Sequence, residues 1–314
     1  MRKKTELLHF KVQEGEHGLT LLAFLKKKCT AISSTKALKR AIESKECLVN
    51  GRVEFFSTYK LVKGDTVELR SIVANTDEQS QGEIIFEDDY LLIINKPAGV
   101  VSDAVGISQL IGYKSGVLSL VHRLDKDTSG LLMLAKTGPM LNAMKDLFSK
   151  KEVHKYYLAL VDGSFTKKMG VIENFLGKKG SYHGQTIYGS VDQEHGERAI
   201  THWRSLEKGL RCSLLVLEPK TGRTHQLRVH LKEMGHPILG DYQYCKNFSC
   251  QIMPSRQMLH AWGLTFIHPM TKKEVCVSGS LADDFITLAD QLKVNLNQLL
   301  QPSFFQDLIK KMVK

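Results

Sequence analysis

"SLVHRLDKDTSG" occupies residues 119–130 and is followed at once by "LLMLAK". A β-type apolar run enters a turn crowded with charges and small residues, and a second apolar run leaves it. The turn sets Asp125 between Arg123 and Lys126, with Asp127 two residues on. Neighbouring positive charge favours an ionised carboxylate. Such a group serves as a nucleophile, a base or a metal ligand, or it simply closes the turn.

Outward from this turn, residues 83–292 alternate short strands with Gly, Pro, Asn and Asp clusters and a few helices. "LLMLAK", "VHKYYLALV" and "CSLLVLEP" read as strands, whereas "TGPMLNAMKDLF" and "THQLRVHLKEM" have helical spacing. Strands interrupted irregularly by helices predict an α+β domain on a mixed, mainly antiparallel sheet, not a doubly wound one. Period two in "VHKYYLALV" groups Tyr156 with Leu158 and Leu160 toward a core. Tyr157, with Lys155 and Ala159, faces the other way, where a flat ring stacks on a base or packs.

"KTGRTHQLRVHLKEMGHP", residues 220–237, predicts a helix capped by Thr224, with Leu227, Leu231 and Met234 on one face and Gly235 and Pro237 ending it. Arg223 precedes that cap, at a helix mouth favourable to anions, where it would meet a phosphate or the Asp125 carboxylate. His225 and His230 are five apart, which is not the i, i+4 spacing of a zinc helix. "GKKG" at 177–180 lacks the lead-in and the Ser/Thr of a P-loop. Neither a metal nor a cofactor is expected.

The net charge of +11 is concentrated at the N-terminus, where residues 1–70 hold fifteen Lys/Arg against eight Asp/Glu. Such a concentration favours a polyanion, because each neutralised phosphate releases counterions. Two short amphipathic helices are predicted over residues 17–45, the second capped by Ser34 and carrying Lys36, Lys39 and Arg40 off its apolar stripe. "ECLVNGRVEF" predicts a hairpin turning at Asn50-Gly51, and "LVKGDTVEL" a further turn and closing strand. Residues 73–82 read as a linker. In the tail, 293–314, Ser303 would cap a helix whose face of Phe304, Leu308, Ile309 and Met312 packs on the larger domain. Six cysteines without a CxxC pair, and no stretch of signal-peptide or membrane-spanning length, lead us to expect a cytosolic protein with reduced thiols.

Within an expected small basic domain of residues 1–72, the helix-helix-hairpin order of roughly residues 15–72 resembles the small RNA-binding module first described in ribosomal protein S-four. That resemblance implies that Lys36, Lys39, Arg40 and Arg52 face structured RNA. Downstream, "NKPAGVVS" (95–102), "HRLDKDTSGLLMLAKT" (122–137), "KYYLALV" (155–161), "TGRTHQLRVHL" (221–231) and "HPILGDYQY" (236–244) occur in an order that resembles the RluA-type pseudouridine synthases. The resemblance implies a pseudouridine synthase fold with an RNA cleft across a central sheet, and isomerisation of uridines in ribosomal RNA, most naturally of the large subunit. It implies Asp125 as the catalytic carboxylate, Arg223 as its ion-pair partner and Tyr157 as the ring on the target base. Arg123, beside His122, would fill the stack when the base leaves. No cofactor, metal, membrane or DNA is implied, and a monomer is expected. "DAVGISQLIGYKSGVLSL" departs from the family's longer, "GTL"-bearing segment. The alternatives are a transfer RNA target, or a non-enzymatic RNA-binding factor in ribosome assembly.

Overall fold

The computed structural model describes residues 7–29, 35–43, 46–54, 56–70, 82–114, 116–182, 185–252, 254–299 and 301–312. The expected Ser34 cap and all of the 73–82 linker except Gly82 lie outside these residues, as do the side chains of Lys36 and Arg40. Two compact units divide the chain, residues 1–78 with 181–186 and residues 79–180 with 187–314.

The first unit contains β1 (Leu7–Lys11), α1 (Leu21–Lys28), α2 (Thr35–Glu43), β2 (Cys47–Val49), β3 (Arg52–Val53) and β4 (Thr66–Arg70). Its strands form one antiparallel sheet in the order β1-β4-β2-β3. Thr20 caps α1 by accepting the Ala23 N–H, and Leu21, Phe24 and Leu25 pack with Leu38, Ala41 and Ile42 of α2 into a separate core. Each of these leucines, Phe24 and Ile42, fully buried, contributes about 1.5–3 kcal/mol. Asn50 and Gly51 both take positive φ, as the tight hairpin requires. The Asn50 side chain then joins the two predicted turns, accepting from Thr66 N–H and donating to Asp65 Oδ1 at 2.8 Å. Lys39 and Arg52 are exposed.

The second unit holds β5 (Glu83–Glu87), β6 (Leu91–Lys96), α3 (Ala104–Leu110), β7 (Ser119–Leu120), β8 (Ser129–Ala135), α4 (Gly138–Ser149) and β9 (His154–Asp162). It continues through β10 (Met169–Tyr182) and β11 (Gln185–Ser190), apart from their ends at 181–182 and 185–186, and through β12 (Glu197–Gly209), β13 (Cys212–Pro219) and α5 (Gln226–Glu233). β14 (Leu259–Ile267), β15 (Glu274–Ser278), α6 (Asp283–Gln291) and α7 (Pro302–Met312) complete it. Its eleven strands form one sheet, in the order β11-β10-β12-β13-β9-β14-β8-β6-β5, with β15 on β14 and β7 on β8. The β14–β8 pair is parallel and the other described pairs are antiparallel, so the mixed α+β architecture expected from the sequence is present.

Alternation along the strands feeds two cores. Leu92 and Ile94 of β6 and Leu132 and Leu134 of β8 enter one; Leu91, Ile93, Leu131 and Met133 enter the other, closed by Met140 and Met144 of α4. Thr137 caps α4 by accepting from Met140 N–H. The first core also receives Leu227 and Leu231 of α5, Phe285 and Leu288 of α6, and Phe305 and Leu308 of α7. In the tail, Ser303 lies inside α7 and is not its cap. The Phe305 ring meets Tyr156 edge-on at 5.5 Å and Trp262 at 4.9 Å.

Candidate active site

Four residues in register carry the site across the sheet: Leu217 of β13 pairs with Tyr157 of β9, Tyr157 with Ala261 of β14, and Ala261 with Gly130 of β8. At Gly130 the backbones approach so closely that a Cβ would lie 2.2 Å from the Ala261 carbonyl oxygen, and φ is +110°. Only glycine meets both conditions. The turn that bears Asp125 leads directly into this contact.

That turn is pinned from all sides. Thr128 N–H donates to Asp125 C=O, and Ser102 Oγ bridges the backbone N–H and C=O of Leu124. Lys126 C=O accepts from Gly99 N–H and from Lys96 Nζ, and the Lys96 ammonium also donates to Pro97 and Val100 C=O. Arg256 Nη1 donates to Asp127 C=O at 3.1 Å, and Arg256 itself is held by Asp284. Ser129 Oγ and the buried His260 Nδ1 are 2.9 Å apart. With its backbone fixed this way, Asp125 keeps its side chain 34% exposed.

Arg228, one turn inside α5, holds that carboxylate. Its Nη1 donates to Asp125 Oδ2 at 3.2 Å, while Nε and Nη2 clamp both oxygens of buried Asp241 at 2.7 Å. Nη2 also donates to Gln243 Oε1, and the guanidinium lies 5.0 Å from the Tyr244 ring centroid. Burial works against the charge, but Asp241 and then Asp125 outweigh it and hold the guanidinium protonated above its ordinary range. Asp125 Oδ1 makes no hydrogen bond to any described residue.

This arrangement corrects the expectation for Arg223. Its Nη1 pairs with Glu197 at 3.0 Å and its Nε donates to Arg198 C=O, so it is not the partner of Asp125. The physical reason is the start of α5. Gln226, not Thr224, organises it, its Oε1 accepting from Arg223 N–H and Thr221 Oγ1, and His225 occupies the cap position with φ +56°. The helix therefore begins one residue later than predicted and presents Arg228 inward.

His225 is a further neighbour. Tyr188 N–H donates to Tyr244 Oη, and Tyr244 Oη lies 2.8 Å from His225 Nδ1. His225 Nε2 is 3.8 Å from Asp125 Oδ2. Burial and then Arg228 push the imidazole down to about 4, so it is neutral at physiological pH. Tyr157 is 9% exposed, and burial, then the Asp125 charge, push its hydroxyl well above the usual range. Tyr156 is buried as well, because β9 is covered on both faces.

Arg123 is exposed beside Asp125. His122, expected among the RNA-facing residues, is half-buried: its Nε2 accepts from Met133 N–H, its ring lies 5.4 Å from Phe148, and burial pushes its pKa down to about 3.

Residues 90–233 match the family model described as RNA pseudouridylate synthase. Ribosomal large subunit pseudouridine synthase D of Zymomonas mobilis is 37% identical over 68% of this chain and 73% of its own length. Ribosomal large subunit pseudouridine synthase C of Vibrio cholerae is 30% identical over 88% of this chain and 94% of its own. This chain belongs to the RluA-type RNA pseudouridine synthases. The fold agrees: human RNA pseudouridylate synthase domain containing 1 superposes with a TM-score of 0.58 at 26% identity, covering 70% of this chain and 98% of that one. In this synthase the matched region contains Asp125, Tyr157 and Arg228, whereas Asp241 lies just beyond it.

The sequence reading missed Arg228 and Asp241. A signal was present: Arg228 sits between Leu227 and Val229 in a helix with six buried residues, and a cation there needs a carboxylate. Asp241, in "GDYQY", is the one supplied.

Proposed function

We propose that the protein isomerises uridines of large-subunit ribosomal RNA to pseudouridine, with Asp125 as the acting carboxylate. The supporting observation is the Asp241–Arg228–Asp125 chain, in which a buried arginine orients one oxygen of a half-buried carboxylate and leaves the other without a hydrogen bond to any described residue. Relatives named as large-subunit synthases C and D support the choice of RNA.

A uridine in folded RNA must leave its stack to expose the glycosidic bond, at a cost of a few kcal/mol. Arg123, exposed next to the carboxylate, fills the gap with a planar cation that stacks and pairs with phosphate. Asp125 acts as the N1–C1′ bond breaks, the uracil turns while held against Tyr157 and the C5–C1′ bond forms; the C5 proton passes to solvent and N1 takes one up, so the product is an isomer of the substrate. Nothing is oxidised or reduced. The high pKa of the Tyr157 hydroxyl makes it a poor base at neutral pH and leaves the ring as its contribution.

Residues 1–72 hold structured RNA through Lys36, Lys39, Arg40 and Arg52, separately from the catalytic domain at residues 83–292. The protein works as a cytoplasmic monomer on ribosomal RNA or its precursor particle; among the described residues no helix is long and apolar enough to cross a membrane. Mapping pseudouridines in total RNA from cells with and without the gene tests the reading. Sites lost from large-subunit RNA support it; sites lost only from transfer RNA refute the substrate.

A further inference from the structure

Strand β9 carries a cation that the reaction as described does not use. Lys155 occupies the β9 face that also bears Tyr157, two residues away, so their Cα atoms are roughly 7 Å apart. Its ammonium sits 5.4 Å from the centroid of the Phe148 ring, and Phe148 also supports His122, which adjoins Arg123. On the other side, a Cβ added at Gly222 would lie 3.8 Å from Lys155 Nζ. The ammonium thus stands between the Asp125 turn and the loop that bears Arg223. It has no carboxylate within ion-pair distance and no hydrogen-bond acceptor among the described residues. Lys96, which is buried in the same unit, is by contrast satisfied by three carbonyls.

A cation half withdrawn from water, with only the face of the Phe148 ring for company, gains when an anion arrives. Burial already draws its pKa down to about 8, which an incoming negative charge would reverse. We infer that Lys155 binds a backbone phosphate flanking the flipped uridine, registering the ribose against Asp125 while Tyr157 holds the base. The ligand class follows from charge: uracil and ribose are neutral, and the phosphodiester is the only anion RNA brings. The inference rests on the pseudouridine synthase reading.

The test pairs Lys155→Met and Lys155→Arg with RNA carrying a single neutral methylphosphonate at each linkage flanking the target uridine. On unmodified RNA, Lys155→Met should lose about ten- to a hundredfold in kcat/KM, as expected for a charge-assisted contact, and Lys155→Arg should recover most of it. At one linkage the methylphosphonate should cost the wild type a similar factor and cost Lys155→Met nothing more. The salt slope of RNA binding should also fall by about 0.7–0.9 in Lys155→Met. Thermal melting should be unchanged or raised, which separates the effect from misfolding. Losses that multiply at every linkage, or an unchanged salt slope, overturn the inference. Wild-type protein that isomerises no uridine would instead overturn the parent reading, and the salt slope would still judge Lys155.

Discussion

Arg228 spends two nitrogens on Asp241 and only Nη1 on Asp125, so the buried carboxylate fixes the arginine and the arginine aims the half-buried one. Bidentate geometry on the buried side leaves the guanidinium one orientation. Replacing Arg228 with Met should therefore lower kcat by at least about a hundredfold, a loss of the size attached to positioned electrostatic groups. Arg228→Lys should not restore it, because an ammonium has no planar fork to span both partners. Single-turnover kinetics on a ribosomal RNA fragment measure both.

Arg223→Ala supplies the contrast. Its ion pair with Glu197 is exposed, and such pairs contribute about 0–1 kcal/mol. Turnover should stay within severalfold of wild type, and melting should barely move. A loss matching that of Arg228→Met would restore Arg223 as the partner.

Asp241→Asn should be as harmful to the fold as to the reaction. It leaves the buried Arg228 charge compensated only by Asp125, and breaking a buried pair costs about 3–5 kcal/mol. Urea denaturation should show the loss as a lower midpoint with unchanged slope.

Acid should unfold the second unit early. His230 and His260 are buried, and burial holds their folded pKa values at about 4 and about 3, below the 6.5 of an unfolded histidine. Between about pH 6 and 4 the unfolded chain binds protons that the folded chain refuses, so stability falls as pH falls. Each histidine contributes a slope of about 1.4 kcal/mol per pH unit across that window. His230→Gln should remove one such increment from the denaturation free energy measured across it, whatever its effect on stability at pH 7.

Gly130→Ala tests the parallel contact that seats the catalytic turn. A methyl group there meets the Ala261 carbonyl at 2.2 Å, in a φ that L residues rarely adopt. The strained φ alone costs about 1–3 kcal/mol, and the backbone collision adds to it. Melting should drop by several degrees, or the protein should fail to accumulate.

The parts of this site that depend on local pattern were legible in the chain. The Asp125 turn, the β9 tyrosines, the Asn50-Gly51 hairpin and α5 all follow from short-range spacing. What was not legible depends on which surfaces meet. Arg223 looked better placed than Arg228 because Thr224 has the chemistry of a cap; the side chain of Gln226 took that task and shifted the helix start. Period two sends Tyr156 to a core and leaves Tyr157 either stacking or packed; β9 lies mid-sheet, and both are covered. α3 went unread because it is one short turn-rich segment containing Gly106, held by the Asp103 side chain at its start.

Tritium release from RNA labelled at carbon five of uridine tests the central claim most directly, with Asp125→Asn beside the wild type. Isomerisation frees that tritium once per uridine converted. The wild type should release it stoichiometrically from large-subunit RNA, and Asp125→Asn should release none while still binding the RNA. Release by Asp125→Asn at the wild-type rate would contradict the account.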